Sequence, residues 1–224
     1  MNDQIIPGKN CLNYFKNYQD IEAQYTSKLI RNWTIKKMDY QIRLEKAKNS
    51  ALYRRITDLL NKPEYSTFKR IEARDKYKKP EEKPEILSWI DALHLTNEVM
   101  ISPELNNEIR NDAVLIQEYV IPYTRGNRAD FVIAKDNKIC ILEYSYEVSS
   151  FLKKAQQAFT YKNILQQFLS KSIEIVSYTF SYTSETEEDD SKLQEQIRKA
   201  VTFLNQYFDP AQAINELQTL KDFS

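Results

Sequence analysis

Apolar residues recur every three or four positions across residues 20–60, where Ile30, Trp33, Ile35, Met38, Ile42 and Leu44 supply one stripe, and this spacing predicts long helices. The stretch PEILSWIDALHLTNEVM keeps the helical period through Ile86, Trp89, Ile90, Leu93 and Val99, with Pro84 or Ser88 as its start. Beyond it the period shortens. VLIQEYVI at 114–121, DFVI inside 128–135 and ICILEYSYE at 139–147 are short apolar runs divided by turn residues, which predicts three strands. Residues 150–170 return to helical spacing, with Phe151, Leu152, Ala155, Ala158, Phe159, Leu165 and Phe168 expected to face inward. IEIVSYTFSYT at 173–183 alternates with period two and predicts a further strand. The acidic run ETEEDD reads as a solvated loop before two last helices near 191–208 and 210–222. Helix, three strands, helix, strand, helix is the order of an α/β fold.

Pro63, Pro80 and Pro84 lie in a stretch rich in lysine and glutamate, and the run KYKKPEEKPE within it predicts a boundary, because proline removes a donor and drives its predecessor out of helical geometry. The chain is thereby expected to divide into a helical extension, residues 1–80, and an α/β domain, residues 81–224. Charge divides at the same place. Net charge is zero, yet residues 1–80 carry 18 Lys and Arg against 9 Asp and Glu, and the remainder carries 14 against 23. A basic segment of this kind suits nucleic acid, since its cations displace counterions from phosphates; a solvated helix surface accounts for the same letters.

Composition removes several classes of chemistry. Only Gly8 and Gly126 occur, so neither a dinucleotide-binding fingerprint nor a P-loop can be built. One histidine, His94, and two cysteines, Cys11 and Cys140, leave little for zinc sites, disulfide frameworks or Ser-His-Asp machinery. His94 and Cys140 are expected as packing residues. The chain has no apolar run of transmembrane length and its first residues lack the pattern of a signal peptide, so no membrane association and a cytoplasmic location are expected.

Candidate chemistry concentrates in RADFVIAKDNKICILEYSYE, residues 128–147. With 135–138 as a four-residue hairpin loop, Phe131 falls opposite Leu142 and Asp130 opposite Glu143. Directly opposed side chains project to one face with Cβ atoms about 4.5–5.5 Å apart. Like charges so close are tolerable when solvated, when one takes a proton, or when a divalent cation lies between them, and Mg²⁺ favours a few carboxylates supplemented by water and phosphate. Glu118 on the preceding strand is a third candidate for the cluster. In AQQAFTYKNIL, Gln157 and Tyr161 stand four apart on one helix face, with Lys153 and Lys154 a turn earlier. Their polar groups can point toward the carboxylates, and an ordinary amphipathic boundary explains the same spacing.

Taken in order, Glu118, Arg128-Ala-Asp130, a hairpin, Glu143-Tyr-Ser145 and Gln157-x-x-x-Tyr161 resemble the PD-(D/E)xK nuclease superfamily. The Gln-x-x-x-Tyr helix is like that of its RecB-type branch. Residues 86–182 resemble most closely the nuclease-like domain that precedes the motor in bacterial helicases related to the Schlafen helicase domain. The resemblance implies a restriction-endonuclease-like core, a mixed sheet flanked by helices, with Asp130 and Glu143 as ligands of Mg²⁺ or Mn²⁺ and Glu118 assisting. It also implies a nucleic-acid phosphodiester, DNA or RNA, as substrate. The family carries a lysine two residues after the glutamate, where this chain has Ser145, so Lys153 or Lys154 would have to stand in. Loss of one such electrostatic group typically costs about 2.7–4 kcal/mol of transition-state stabilisation. Two functions therefore stand side by side: a metal-dependent nuclease, weakened at Ser145, and a catalytically inactive nuclease fold that binds nucleic acid or protein. The helical amino-terminal region is the expected surface for self-association or a protein partner.

Overall fold

The computed structural model describes residues 11–24, 40–63, 83–145, 150–181 and 187–209. Five strands make one mixed sheet in chain order: β1 (Asn13–Phe15), β2 (Val114–Val120), β3 (Arg128–Lys135), β4 (Lys138–Ser145) and β5 (Glu174–Ser181). The first four are antiparallel neighbours, and β5 runs parallel to β4. Parallel neighbours need a crossover. Helix α6 (Phe151–Phe168) supplies it. The other helices are α1 (Tyr18–Gln24), α2 (Tyr40–Lys48), α3 (Ala51–Leu60), α4 (Glu85–Ile101), α5 (Asn107–Asp112) and α7 (Glu187–Phe208).

Strand alternation distributes the sheet between two cores. Leu115, Phe131, Ile133, Cys140 and Leu142 meet Trp89 and Leu93 of α4 and Ile197 and Leu204 of α7 on one face. Ile116, Val132, Ala134, Ile139 and Ile141 meet Tyr161 and Leu165 of α6 on the other. All eight residues of β4 are buried, as expected of a strand covered on both faces. Helix α4 is buried nearly all round, including Asp91, His94, Thr96 and Asn97, because the sheet covers one side while α1, α2, α3 and α7 contact it as well. Within the first 63 residues, β1 joins the sheet, and Phe15, Ile21, Ala47, Ile56 and Leu60 enter the same core as α4.

Several expectations need correction. Ile42 is exposed and Leu44 only half-buried, while Ile30, Trp33, Ile35 and Met38 lie outside the described residues. In α6 the buried positions are Ala158, Tyr161 and Leu165, and Leu152, Phe159 and Phe168 are exposed. A helix lying across a sheet buries one narrow stripe at spacings of three and four, so the wider set could not all face inward. Phe168 instead stacks on Tyr123, ring centroids 4.3 Å apart. Helix α7 starts at Glu187, so much of the acidic run is helical, a place where carboxylates suit the helix dipole. The helix expected at 210–222 lies outside the described residues. Strand β1 and helix α5 carry no periodic signal; three residues and six are too short for one.

The hairpin is tighter than expected. Lys135 pairs with Lys138, leaving Asp136 and Asn137 as the loop, with Asp136 at φ 54 in the left-handed region that Asp and Asn tolerate. Register is unaffected, and Phe131 lies opposite Leu142. Among the described residues no helix is long and apolar enough to cross a membrane.

Candidate active site

At one end of the hairpin the regular ladder stops. Phe131·Leu142 is the last pair between β3 and β4, and between β2 and β3 the pairs Gln117·Phe131 and Tyr119·Ala129 flank a gap at Glu118 and Asp130. Glu118 has φ 53, a left-handed backbone unusual for a residue with a Cβ. The distortion interrupts alternation: Gln117 reaches the Trp89 carbonyl of α4, Glu118 meets Arg128, whose guanidinium also reaches Glu85 of α4, and Tyr119 packs in the α6 core. A row of three like charges across neighbouring strands is thereby divided.

Asp130 and Glu143 come together, as their register requires. The Asp130 amide donates to Glu143 Oε1 at 3.3 Å, and the Tyr144 amide donates to Asp130 Oδ2 at 2.8 Å. Lys154 of α6 closes the cluster, donating from Nζ to Asp130 Oδ2 at 3.0 Å and Glu143 Oε2 at 2.7 Å. Glu143 is fully buried and Asp130 keeps partial exposure, so the cluster opens to solvent on the aspartate side. Burial, followed by the charge of Asp130, holds the Glu143 carboxyl well above the ordinary carboxylate range, with Lys154 opposing. For Lys154, burial disfavours the ammonium, but Asp130 and Glu143 outweigh it and keep its pKa above that of an ordinary lysine. It therefore retains its proton at any physiological pH.

The remaining candidates divide. Lys153 is exposed and points no bond into the cluster. Gln157 donates to the Tyr161 hydroxyl at 2.7 Å; burial, then the charge of Glu143, push that phenol up to about 12, so the pair borders the carboxylates. Ser145 is buried with its hydroxyl 2.6 Å from that of Ser150. Glu118 does not complete a three-carboxylate set. It accepts from Arg128 Nε at 2.7 Å, while Arg128 Nη2 donates to Glu85 at 2.9 Å and the guanidinium lies 6.0 Å from the Trp89 ring. Glu118 thus bonds to a fixed guanidinium a strand-width away, while the charge of Asp130 still bears on its carboxyl.

Burial pushes the Glu118 carboxyl up to about 8, against the pull of Arg128. A carboxyl harder to ionise folded than unfolded favours the folded state most below the unfolded value, and that advantage fades as pH rises toward the folded value. Wild-type stability should therefore fall between about pH 4.5 and 8. Glu118→Gln should flatten part of that decline, measured as urea midpoints across the range. An equal decline in both proteins would contradict the assignment.

A second ionic group lies in the same helix. Asp91 of α4, fully buried, accepts from Arg43 of α2 at 2.5 Å and pairs with Lys83 through its other oxygen. Burial lowers the Lys83 pKa to about 8, with Asp91 opposing. Neither this group nor the Glu85 and Trp89 contacts of Arg128 stand out in the sequence; charged letters inside an apolar-spaced helix, such as Asp91 in SWIDALHL, were the one available signal.

The donor set bears on the metal the resemblance implies. Among the described residues no three His, Cys, Asp or Glu side chains gather as a metal site. Two carboxylate oxygens nevertheless converge on one cationic centre, the Lys154 ammonium, so the same oxygens can approach a hard cation. Mg²⁺ commonly takes only one or two protein carboxylates and completes its shell with water and phosphate oxygens, which this set allows.

The chain matches no protein-family model, and comparisons with curated proteins and with solved structures return no match.

Proposed function

We propose that the protein is a divalent-cation-dependent phosphodiesterase acting on nucleic acid, built on a restriction-endonuclease-like core of the PD-(D/E)xK type. One observation carries the reading: Lys154 reaches both Asp130 and Glu143 from the helix after the hairpin, and so supplies the ammonium that Ser145 lacks. Asp130 and Glu143 would hold Mg²⁺ or Mn²⁺. Such a cation supplies a bound water of lowered pKa and positive charge beside the scissile phosphate. Lys154 keeps its proton, offsets negative charge that develops on the phosphate, and offers a donor to a water beside the carboxylates. The Tyr144 amide fixes the Asp130 carboxylate, and the partial exposure of Asp130 leaves an approach for a phosphate. Gln157 and Tyr161 border the pair and position one another.

A second reading has its own support. Lys154 already balances the two carboxylates, and Glu118 is committed to Arg128, an arrangement that also suits an inactive fold retained for binding nucleic acid or a protein partner. The test is cleavage of single- and double-stranded DNA and RNA with Mg²⁺ or Mn²⁺, and with the cations removed by EDTA. Cleavage that appears with the cations and disappears under EDTA is expected. Salt-sensitive binding without cleavage under any cation would favour the inactive fold.

A further inference from the structure

We propose that Arg128 is a positioning residue that, through Glu118, holds the paired kink in β2 and β3 and thereby turns Asp130 toward Glu143 and Lys154. Extending the strand register past the last ladder pairs places Glu118, Asp130 and Glu143 in one row across three neighbouring strands. Regular pairing would set three carboxylates side by side, and directly opposed like charges are destabilising. The row is broken at Glu118, whose φ of 53 costs a residue with a Cβ roughly 1–2 kcal/mol and must be held by something else. Arg128 is what holds it: Nε meets Glu118 at 2.7 Å, and Nη2 meets Glu85 in the first turn of α4 at 2.9 Å.

The geometry needs an arginine. A planar guanidinium can bridge two carboxylates in fixed directions, and it lies 6.0 Å from the Trp89 ring, whereas a lysine presents a single rotating point charge. Arg128 is also two residues before Asp130 on the same strand, so anchoring its side chain to α4 orients the backbone that carries Asp130. An ion pair that served stability alone would leave the direction of Asp130 unchanged when removed.

The Tyr144 amide reports that direction, because it donates to Asp130 Oδ2. Hydrogen exchange of this amide, compared with amides in the interior of β4, separates the two cases without any need for activity. In Arg128→Gln the Tyr144 amide should exchange at least about tenfold faster relative to the β4 interior, with Arg128→Lys in between. Should Arg128→Gln not fold, Glu85→Gln, which loosens only the outer contact, carries the same comparison with a smaller shift. Tyr144 exchange that changes only in step with the β4 interior overturns the proposal. The proposal rests on the phosphodiesterase reading for one further arm only: kcat should fall in Arg128→Gln with KM for nucleic acid unchanged, and Arg128→Lys should recover part of it. A wild type that does not cleave counts against that reading, while the exchange comparison still decides the role of Arg128.

Discussion

Lys154→Ala is expected to lower cation-dependent cleavage by roughly two to three orders of magnitude and to cost about 3–5 kcal/mol of stability. Both effects have one cause. The ammonium is the only side-chain cation bonded to Asp130 and Glu143 among the described residues, and Glu143 is fully buried. Without it, two carboxylates remain side by side, one of them cut off from water. Glu143 can answer by taking a proton, which its raised pKa already favours, so the stability cost should shrink at acidic pH and grow as pH rises. Lys154→Met keeps the length of the side chain and removes the charge, and it should behave like the alanine variant in cleavage. Urea unfolding and single-turnover cleavage measure the two effects. Stability and rate both close to wild type would mean that the lysine is a bystander.

Asp91→Ala should destabilise the protein by a similar amount, about 3–5 kcal/mol, which lowers Tm by roughly 6–20 °C in a chain of this size. Asp91 is fully buried, and its two oxygens serve Arg43 from α2 and Lys83 just before α4. Removing the carboxylate leaves two cations without their common anion. Lys83, whose pKa burial has already lowered to about 8, can shed its proton. Arg43 is left as a buried guanidinium that has lost the carboxylate it donates to. Most of the loss therefore belongs to Arg43, and Asp91→Ala combined with Arg43→Met should recover a large part of it. A double variant no more stable than Asp91→Ala would show that the loss comes from packing of α4.

Much of the architecture was legible in the letters. The short apolar runs between 114 and 145, divided by turn residues, and the helical period from 85 to 101 each report one element buried against another, and these are places where pattern and structure agree. Agreement fails where several sides compete for one residue. In α6 the letters allow a broad apolar face, but a single sheet accepts only the stripe through Ala158, Tyr161 and Leu165. The pairing of Asp130 with Glu143 follows from counting along the hairpin, and it survives the shorter loop because shrinking that loop at both ends keeps the register. The loss of Glu118 to Arg128 could not be counted in this way. It depends on a left-handed backbone at Glu118 and on Arg128, whose own anchor is Glu85 in α4, 43 positions earlier, and neither leaves a local trace. The choice between Lys153 and Lys154 is a matter of helix phase, about 100° per residue, which only the packed helix settles.

Under the proposed function, Asp130 and Glu143 act as one cation-binding unit in phosphodiester cleavage. Single-turnover cleavage in saturating Mn²⁺ by Asp130→Asn, Glu143→Gln and the double variant tests it most directly, because residues that act as a unit are not additive. The expected result is a similar loss of at least about a hundredfold in each single variant and little further loss in the double one. Wild-type rates in both single variants would contradict the account.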